Sequence, residues 1–212
     1  MLKDLIVLGV GATTPVFMEL AIDTGYNITG LYHYNETKTG EDIHGYKILG
    51  SFDDLFKLDL SNKLFMLTMG NLQIRKILSD KINAKGGILP TIIHPTAIIS
   101  KFSSVSNNGV LIGPYSIIQA DVNIGNGVVI RDNALICHTT KINDYVFIGP
   151  QSLVGANLQI DSQTFIGQKS LLISGKASYI GNSCLIGAGS VVTKPIESGK
   201  IVVGFPAKEI KR

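Results

Sequence analysis

The sequence predicts two parts: a small parallel α/β domain, then a prism of short parallel strands wound into triangular coils. Two observations lead there. Every sixth residue from 124 to 172 is aliphatic: Ile124, Ile130, Ile136, Ile142, Ile148, Val154, Ile160, Ile166 and Leu172. Residues 4–88 instead alternate apolar runs with amphipathic stretches, the pattern of strands exchanging with helices. A period of six fits neither a helix nor a simple alternating strand; it fits a short strand and a turn, repeated, with one aliphatic side chain always inward.

The amino-terminal elements follow in order. Residues 4–9 read as a buried strand and Thr14–Thr24 as a helix. The turn between them is Gly9-Val10-Gly11-Ala12-Thr13-Thr14. Glycines there let a phosphate approach the N–H groups of a helix start, but Thr14 stands where a dinucleotide fingerprint has its third glycine. The turn alone fits a phosphate site and a ligand-free tight turn equally well. Ile28–Tyr34 reads as a second strand and Tyr46–Leu49 as a third, closed by Gly50. Ser51 can cap a short helix through Leu55, with Asp53 and Asp54 favourable in its first turn. Leu64–Thr68 is a further strand. Asn71–Asn83 is an amphipathic helix whose expected buried stripe is Leu72, Ile74, Ile77, Leu78 and Ile82. Gly86-Gly87 ends it, and Ile88–Ile93 is the strand expected to lead into the prism.

The prism is expected to run from 93 to 192. Four residues after each inward aliphatic comes a mostly small side chain: Val128, Ala134, Thr140, Val146, Ser152, Leu158, Thr164 and Ser170. Upstream, Ile93, Ile99, Val105, Leu111 and Ile117 keep the period, with one extra residue before Ile124. Downstream, two extra residues within 172–179 precede Ile180, Ile186 and Val192. Three strands would close a coil of roughly 18 residues, and about five coils would stack into about 25 Å of prism. One repeat alone could not bury its aliphatic face; the stack can.

Composition narrows the function. The chain has 212 residues, 45% of them hydrophobic and 17% charged, the balance of a globular protein. A net charge of +3 with no basic run argues against nucleic acid as partner. No apolar run reaches membrane-span length, and Asp4 interrupts the short apolar start, so neither membrane insertion nor a signal peptide is expected. Cys137 and Cys184 have neither metal-type nor redox-type spacing. Cys184 occupies a small inward position and reads as packing. No metal is expected, and a reducing, cytoplasmic setting is.

Three features together carry a resemblance: the α/β start, Ile93-His94-Pro95 at the junction, and the tail Val202-Val203-Gly204-Phe205-Pro206-Ala207-Lys208 after the repeats. Over its whole length the chain resembles the nucleotide-aminosugar N-acetyltransferases of the bacillosamine, perosamine and viosamine type. Sialic acid O-acetyltransferases look similar. The resemblance implies a half-Rossmann domain, residues 1–88, that binds a nucleotide sugar. It implies that residues 89–212 form a left-handed parallel β-helix of hexapeptide repeats with a coenzyme A-binding tail. Related prisms form homotrimers with active sites between subunits.

Residue roles are carried over on the same basis. The family places its catalytic histidine in a segment like Ala134-Leu135-Ile136-Cys137-His138-Thr139-Thr140-Lys141-Ile142, which marks His138 as general base. A histidine suits the role because acetyl transfer from a thioester needs the attacking amine to lose a proton. Cys137 is not needed as a nucleophile, since direct transfer forms no acyl-enzyme. Acetyl-CoA is expected along Phe147, Ala156, Gln168, Gly187, Pro206 and Lys208, with Lys211 and Arg212 adding charge for its phosphates. The nucleotide is expected near Gly11, Ala12, Thr13, His33, Tyr34 and Gly50. Three departures stand out: Thr139 where many members have Glu, Ala12-Thr13 in place of Gly-His, and His33-Tyr34 in place of two acidic residues.

The expected activity is acetyl-CoA-dependent N-acetylation of a nucleotide-linked 4-amino-4,6-dideoxyhexose, with dTDP, UDP or GDP as carrier, for a surface glycan such as O-antigen. O-acetylation of sialic acid or another sugar, or a non-catalytic β-helix scaffold, are the alternatives.

Overall fold

The computed structural model describes residues 2–210. The chain divides between Ile92 and Ile93 into two compact units.

The first unit is a five-stranded sheet with three helices. Its elements are β1 (Lys3–Leu8), α1 (Thr14–Asp23), β2 (Tyr26–His33), β3 (Asp42–Ile43), β4 (Tyr46–Ser51), α2 (Phe52–Leu55), β5 (Leu64–Leu67) and α3 (Leu72–Ala84). The order is β3-β4-β2-β1-β5; β3 pairs antiparallel with β4 and the other pairs are parallel. Leu5, Val7 and Leu8 of β1 are fully buried, as a central parallel strand requires. Leu8, Tyr32, Leu55, Phe65, Leu67, Leu78 and Ile82 form one apolar cluster that α2 and α3 share with the sheet.

Three details differ from the expectation. Gly50 does not close β4 but lies within it. The α3 stripe is Leu72, Arg75, Leu78, Ser79 and Ile82, whereas Ile74 and Ile77 are exposed. Two positions along a helix turn about 200°, so Leu72 and Ile74 cannot share a face. Arg75 can replace an aliphatic there because its Nη1 donates to the Leu67 carbonyl at 2.5 Å. Lastly, 88–93 is not one strand. Ile88 bridges to Leu64 of the first unit, and Ile92–Ile93 is a separate strand in a sheet with Leu111–Ile112. Pro90 lies between them and lacks the N–H that a continuing ladder needs.

The second unit is a stack of coils, each made of three two-residue strands. Face one runs from Ile92–Ile93 through Val129–Ile130, Phe147–Ile148, Phe165–Ile166 and Leu185–Ile186 to Ile201–Val203 and Lys208–Glu209. Face two runs from Ile98–Ile99 through Leu135–Ile136 and Leu153–Val154 to Val191–Val192. Face three runs from Ser104–Val105 through Lys141–Ile142 and Gln159–Ile160 to Tyr179–Ile180. Along the regular part each residue pairs with the one eighteen positions on, as Leu135 with Leu153 and Lys141 with Gln159. The inward aliphatics from Ile130 to Val192 form one continuous core.

The extra upstream residue sits elsewhere than expected. Ser104 pairs with Asn123 and Ile98 with Ile117, nineteen positions apart, so the insertion lies between Val105 and Ile112. Ile112 and Ile118 are therefore the residues of the prism core, at 0% and 1% exposure; Ile117 is exposed at 39%, and Leu111, outside that core, is covered at 2%. A one-residue slip exchanges the faces of a strand, and each site here carries two adjacent aliphatics, so the sequence pattern is blind to it. The two-residue insertion within 172–179 is where expected: Gln159 pairs with Tyr179, twenty positions on.

The corners explain the small residues. Thr140, Ser152 and Thr164 are buried, and their hydroxyls donate to the carbonyls of Gly155, Gly167 and Gly181 at 2.9, 2.9 and 2.6 Å. Each thus satisfies a backbone oxygen that the turn would leave buried and unpaired. Glycine after the inward aliphatic reflects close approach: a Cβ on Gly149 would lie 2.5 Å from the Gln168 nitrogen one coil on.

Candidate active site

His138 stands at the corner where the chain passes from face two to face three. The coil before holds its backbone through Gln119, whose Oε1 accepts the His138 N–H at 3.1 Å. The coil after holds it through Asn157, whose N–H donates to the His138 carbonyl at 3.2 Å. The ring is exposed, and its Nδ1 lies 3.1 Å from Thr139 Oγ1. Neither Asp121 nor Asp132 is hydrogen-bonded to the ring among the described residues; Asp132 pairs with Arg131 at 3.3 Å. Cys137, half-buried beside it, has its thiol pushed up by that burial, which disfavours a thiolate.

The residues expected along acetyl-CoA fall on two corners. Ala156 occupies the corner of His138 one coil later, and its N–H donates to Ser174 Oγ at 2.8 Å. Phe147 lies on face one, and Gln168 and Gly187 follow face-one strands into the next corner. Pro206 and Lys208 belong to the hairpin in which Val203 pairs with Lys208, at the end of face one. Lys211 and Arg212 lie outside the described residues. A triangular coil separates these two corners by the width of face two, so one chain does not gather all six residues. At the second corner Gly187 brings backbone close to Val203, where a Cβ would meet its Cγ1 at 2.6 Å, and Lys208 is exposed. Among the described residues no cluster of His, Cys, Asp or Glu could hold a metal.

The first unit carries a cavity of about 350 Å³ at the carboxyl ends of its strands. Gly9, Val10, Gly11, Thr13 and Thr14 line it after β1, Tyr34 after β2, Phe52 after β4, and Thr68, Met69, Gly70 and Asn71 after β5, with Ile74 from α3. The chain moves outward from β1 to β2 and β4, then returns to β5 on the other side of β1. That reversal is the switch point at which open α/β sheets bind ligands. The hydroxyl of Thr14 takes the place a third glycine would leave: it accepts the Gly11 N–H at 2.9 Å and donates to Gly9 O at 3.1 Å.

Of the expected nucleotide residues, Gly11, Thr13 and Tyr34 line the cavity. Ala12 is exposed in the same turn without lining it. His33 and Gly50 are not among the lining residues. His33 is buried, and its Nδ1 accepts the Asn35 N–H at 3.0 Å, so the ring is used to turn the chain. Gly50 packs against the Asp54 side chain inside β4. The wall from Thr68 to Asn71 lies outside the expectation, because it forms only where β5 returns beside β1.

Comparison with known proteins agrees with this architecture. A family model described as bacterial transferase hexapeptide (six repeats) matches residues 107–138. PerB from Caulobacter crescentus, solved with CoA and GDP-perosamine, superposes with a TM-score of 0.88 at 24% identity, over 100% of this chain and 99% of that one. WeeI from Acinetobacter baumannii AYE gives 0.86 at 21%, over 98% and 100%. The acetyltransferase domain of PglB from Neisseria gonorrhoeae FA1090, solved with acetyl coenzyme A, gives 0.78 at 25%, over 99% and 100%.

Proposed function

We propose that this protein is an acetyl-CoA-dependent N-acetyltransferase acting on the amino group of a nucleotide-linked aminosugar. The observation that carries the reading is an exposed histidine, held by both neighbouring coils, at a corner of the β-helix. The full-length likeness to the PglB acetyltransferase domain supports acetyl-CoA as donor, and PerB, solved with CoA and GDP-perosamine, supports the acceptor class. In this reading the α/β unit is a half-Rossmann domain, the β-helix is left-handed, and the acceptor is a 4-amino-4,6-dideoxyhexose destined for a surface glycan such as O-antigen.

The residues then divide the work. The cavity beside Gly9–Thr14 holds the nucleotide, with backbone N–H groups near the start of α1 facing its phosphates. His138 takes one proton from the amine as its nitrogen bonds to the acetyl carbonyl. The tetrahedral intermediate collapses with loss of the thiolate, to which a proton returns. Phe147, Ala156, Gln168, Gly187, Pro206 and Lys208 hold the donor. Because these lie on two corners, the complete site is shared between copies, and the protein is a homotrimer. No described helix is long and apolar enough to cross a membrane. The reading places the enzyme in the cytoplasm, where its proposed donor and acceptor are made.

The test is incubation with acetyl-CoA and a panel of dTDP-, UDP- and GDP-linked 4-aminosugars while free thiol is followed. Acceptor-dependent thiol release and an acetamido product are expected. Release only with hydroxyl-bearing sugars such as sialic acid would overturn N-acetylation, and release with none would leave a non-catalytic scaffold.

A further inference from the structure

We propose that Thr139 is the positioning residue for His138: its hydroxyl accepts the Nδ1 proton and leaves Nε2 bare to take the proton of the acceptor. The inference rests on the functional reading above and adds to it the part that a carboxylate would otherwise fill.

Two independent observations carry it. The first is the contact. Thr139 Oγ1, 3.1 Å from Nδ1, is the one hydrogen-bond partner of the His138 ring among the described residues. A neutral imidazole carries its proton on one nitrogen only, and the nitrogen that donates to a fixed acceptor is the one that keeps it. A hydroxyl can accept from Nδ1–H or donate to a bare Nδ1; in the proposed arrangement it accepts, which leaves Nε2 as the base.

The second is the backbone. From Tyr115 to Lys169 every sixth residue is a corner with positive φ, occupied by Tyr, Asp, Asn, Gln, Lys or, at 127, Gly. Thr139, at φ 57°, is the one β-branched residue among all described non-glycine residues of positive φ. Branching at Cβ makes this region costly, which is why Asn, Asp and Gly usually fill it. The other corners show that the fold does not require threonine here. The position is nevertheless rigid, because the Thr139 N–H donates to the Ala120 carbonyl at 3.1 Å. A costly side chain at a pinned corner, touching the proposed base and no other ring, fits a role in orientation.

The test uses the full-length protein with Thr139→Val, which keeps shape and branching but loses the hydroxyl, and Thr139→Ser, which keeps the hydroxyl. Imidazole 15N–1H correlation spectra are recorded at about pH 9, above the usual histidine range. The parent and the serine variant are expected to show His138 as the Nδ1–H tautomer, and the valine variant to shift toward Nε2–H. With the accepted sugar nucleotide, Thr139→Val should lower kcat by roughly 10- to 100-fold with both KM values within about twofold, and Thr139→Ser should restore most of it. A parent spectrum already showing Nε2–H overturns the proposal without any variant. So does a valine variant with unchanged tautomer and kcat. If no acceptor is found, or His138→Ala keeps full kcat, the functional reading fails, and the spectra still decide the hydroxyl contact separately.

Discussion

Phe147 and Phe165 stack one coil apart on face one, with ring centroids 4.6 Å apart and planes 2° from parallel. The spacing is that of the strands that carry them. Outward positions on faces one and two are apolar in coil after coil: Phe147 and Phe165 on one, Leu135, Leu153 and Leu171 on the other. The outward positions of face three are Asn123, Lys141, Gln159 and Tyr179. Two apolar faces and one polar face suit a prism that packs against copies of itself. Light scattering should give three times the chain mass, and Leu153→Glu should shift it toward the monomer. A parent that is monomeric at micromolar concentration would contradict the shared site.

Tyr34 is 76% exposed, yet it lines the cavity of the α/β unit. An aromatic ring there can stack on a base or sugar at little structural cost. Tyr34→Ala should raise KM for the nucleotide sugar by about 10-fold, from a stacking contribution of about 1–3 kcal/mol, and leave KM for acetyl-CoA unchanged. Equal KM values in parent and variant would place the nucleotide elsewhere.

Ile117 and Ile118 show what the sequence could and could not convey. The period of six identified the coils, because a strict aliphatic repeat has one physical solution in a stacked strand. The inward side could not be read where two aliphatics adjoin, and there the expectation chose Ile117 while the structure buries Ile118. Ile118→Ala should cost about 2–5 kcal/mol in denaturant unfolding, and Ile117→Ala clearly less. The place of His138, two residues after inward Ile136, was legible from the repeat. The cavity wall at Thr68–Asn71 was not, because it depends on β5 returning beside β1, a pairing that no local pattern encodes. For His33, position alone does not tell a ring facing a ligand from one bonded to its own chain.

Ser51 and Asp54 cap α2 reciprocally: Ser51 Oγ accepts the Asp54 N–H at 3.1 Å, and Asp54 Oδ2 accepts the Ser51 N–H at 3.1 Å. Ser51→Ala should cost about 1 kcal/mol at neutral pH. The hydrogen bonds from Lys57 and then Ser51 hold the Asp54 carboxyl well below the usual carboxylate range. A depressed folded value means stability that is fully present above the unfolded value of about 3.9 and lost as pH falls through the folded one. Asp54→Asn should therefore lower Tm near pH 7, with the gap to the parent closing in acid. A gap independent of pH would show that the charge adds nothing to the cap.

The central claim is that His138 is the base, and His138→Ala tests it most directly. Steady-state kinetics with the accepted nucleotide aminosugar, alongside calorimetric binding of acetyl-CoA, should show kcat lower by a factor on the order of 10² to 10⁴ with acetyl-CoA affinity unchanged. An unchanged kcat would contradict the assignment of the base and the mechanism built on it.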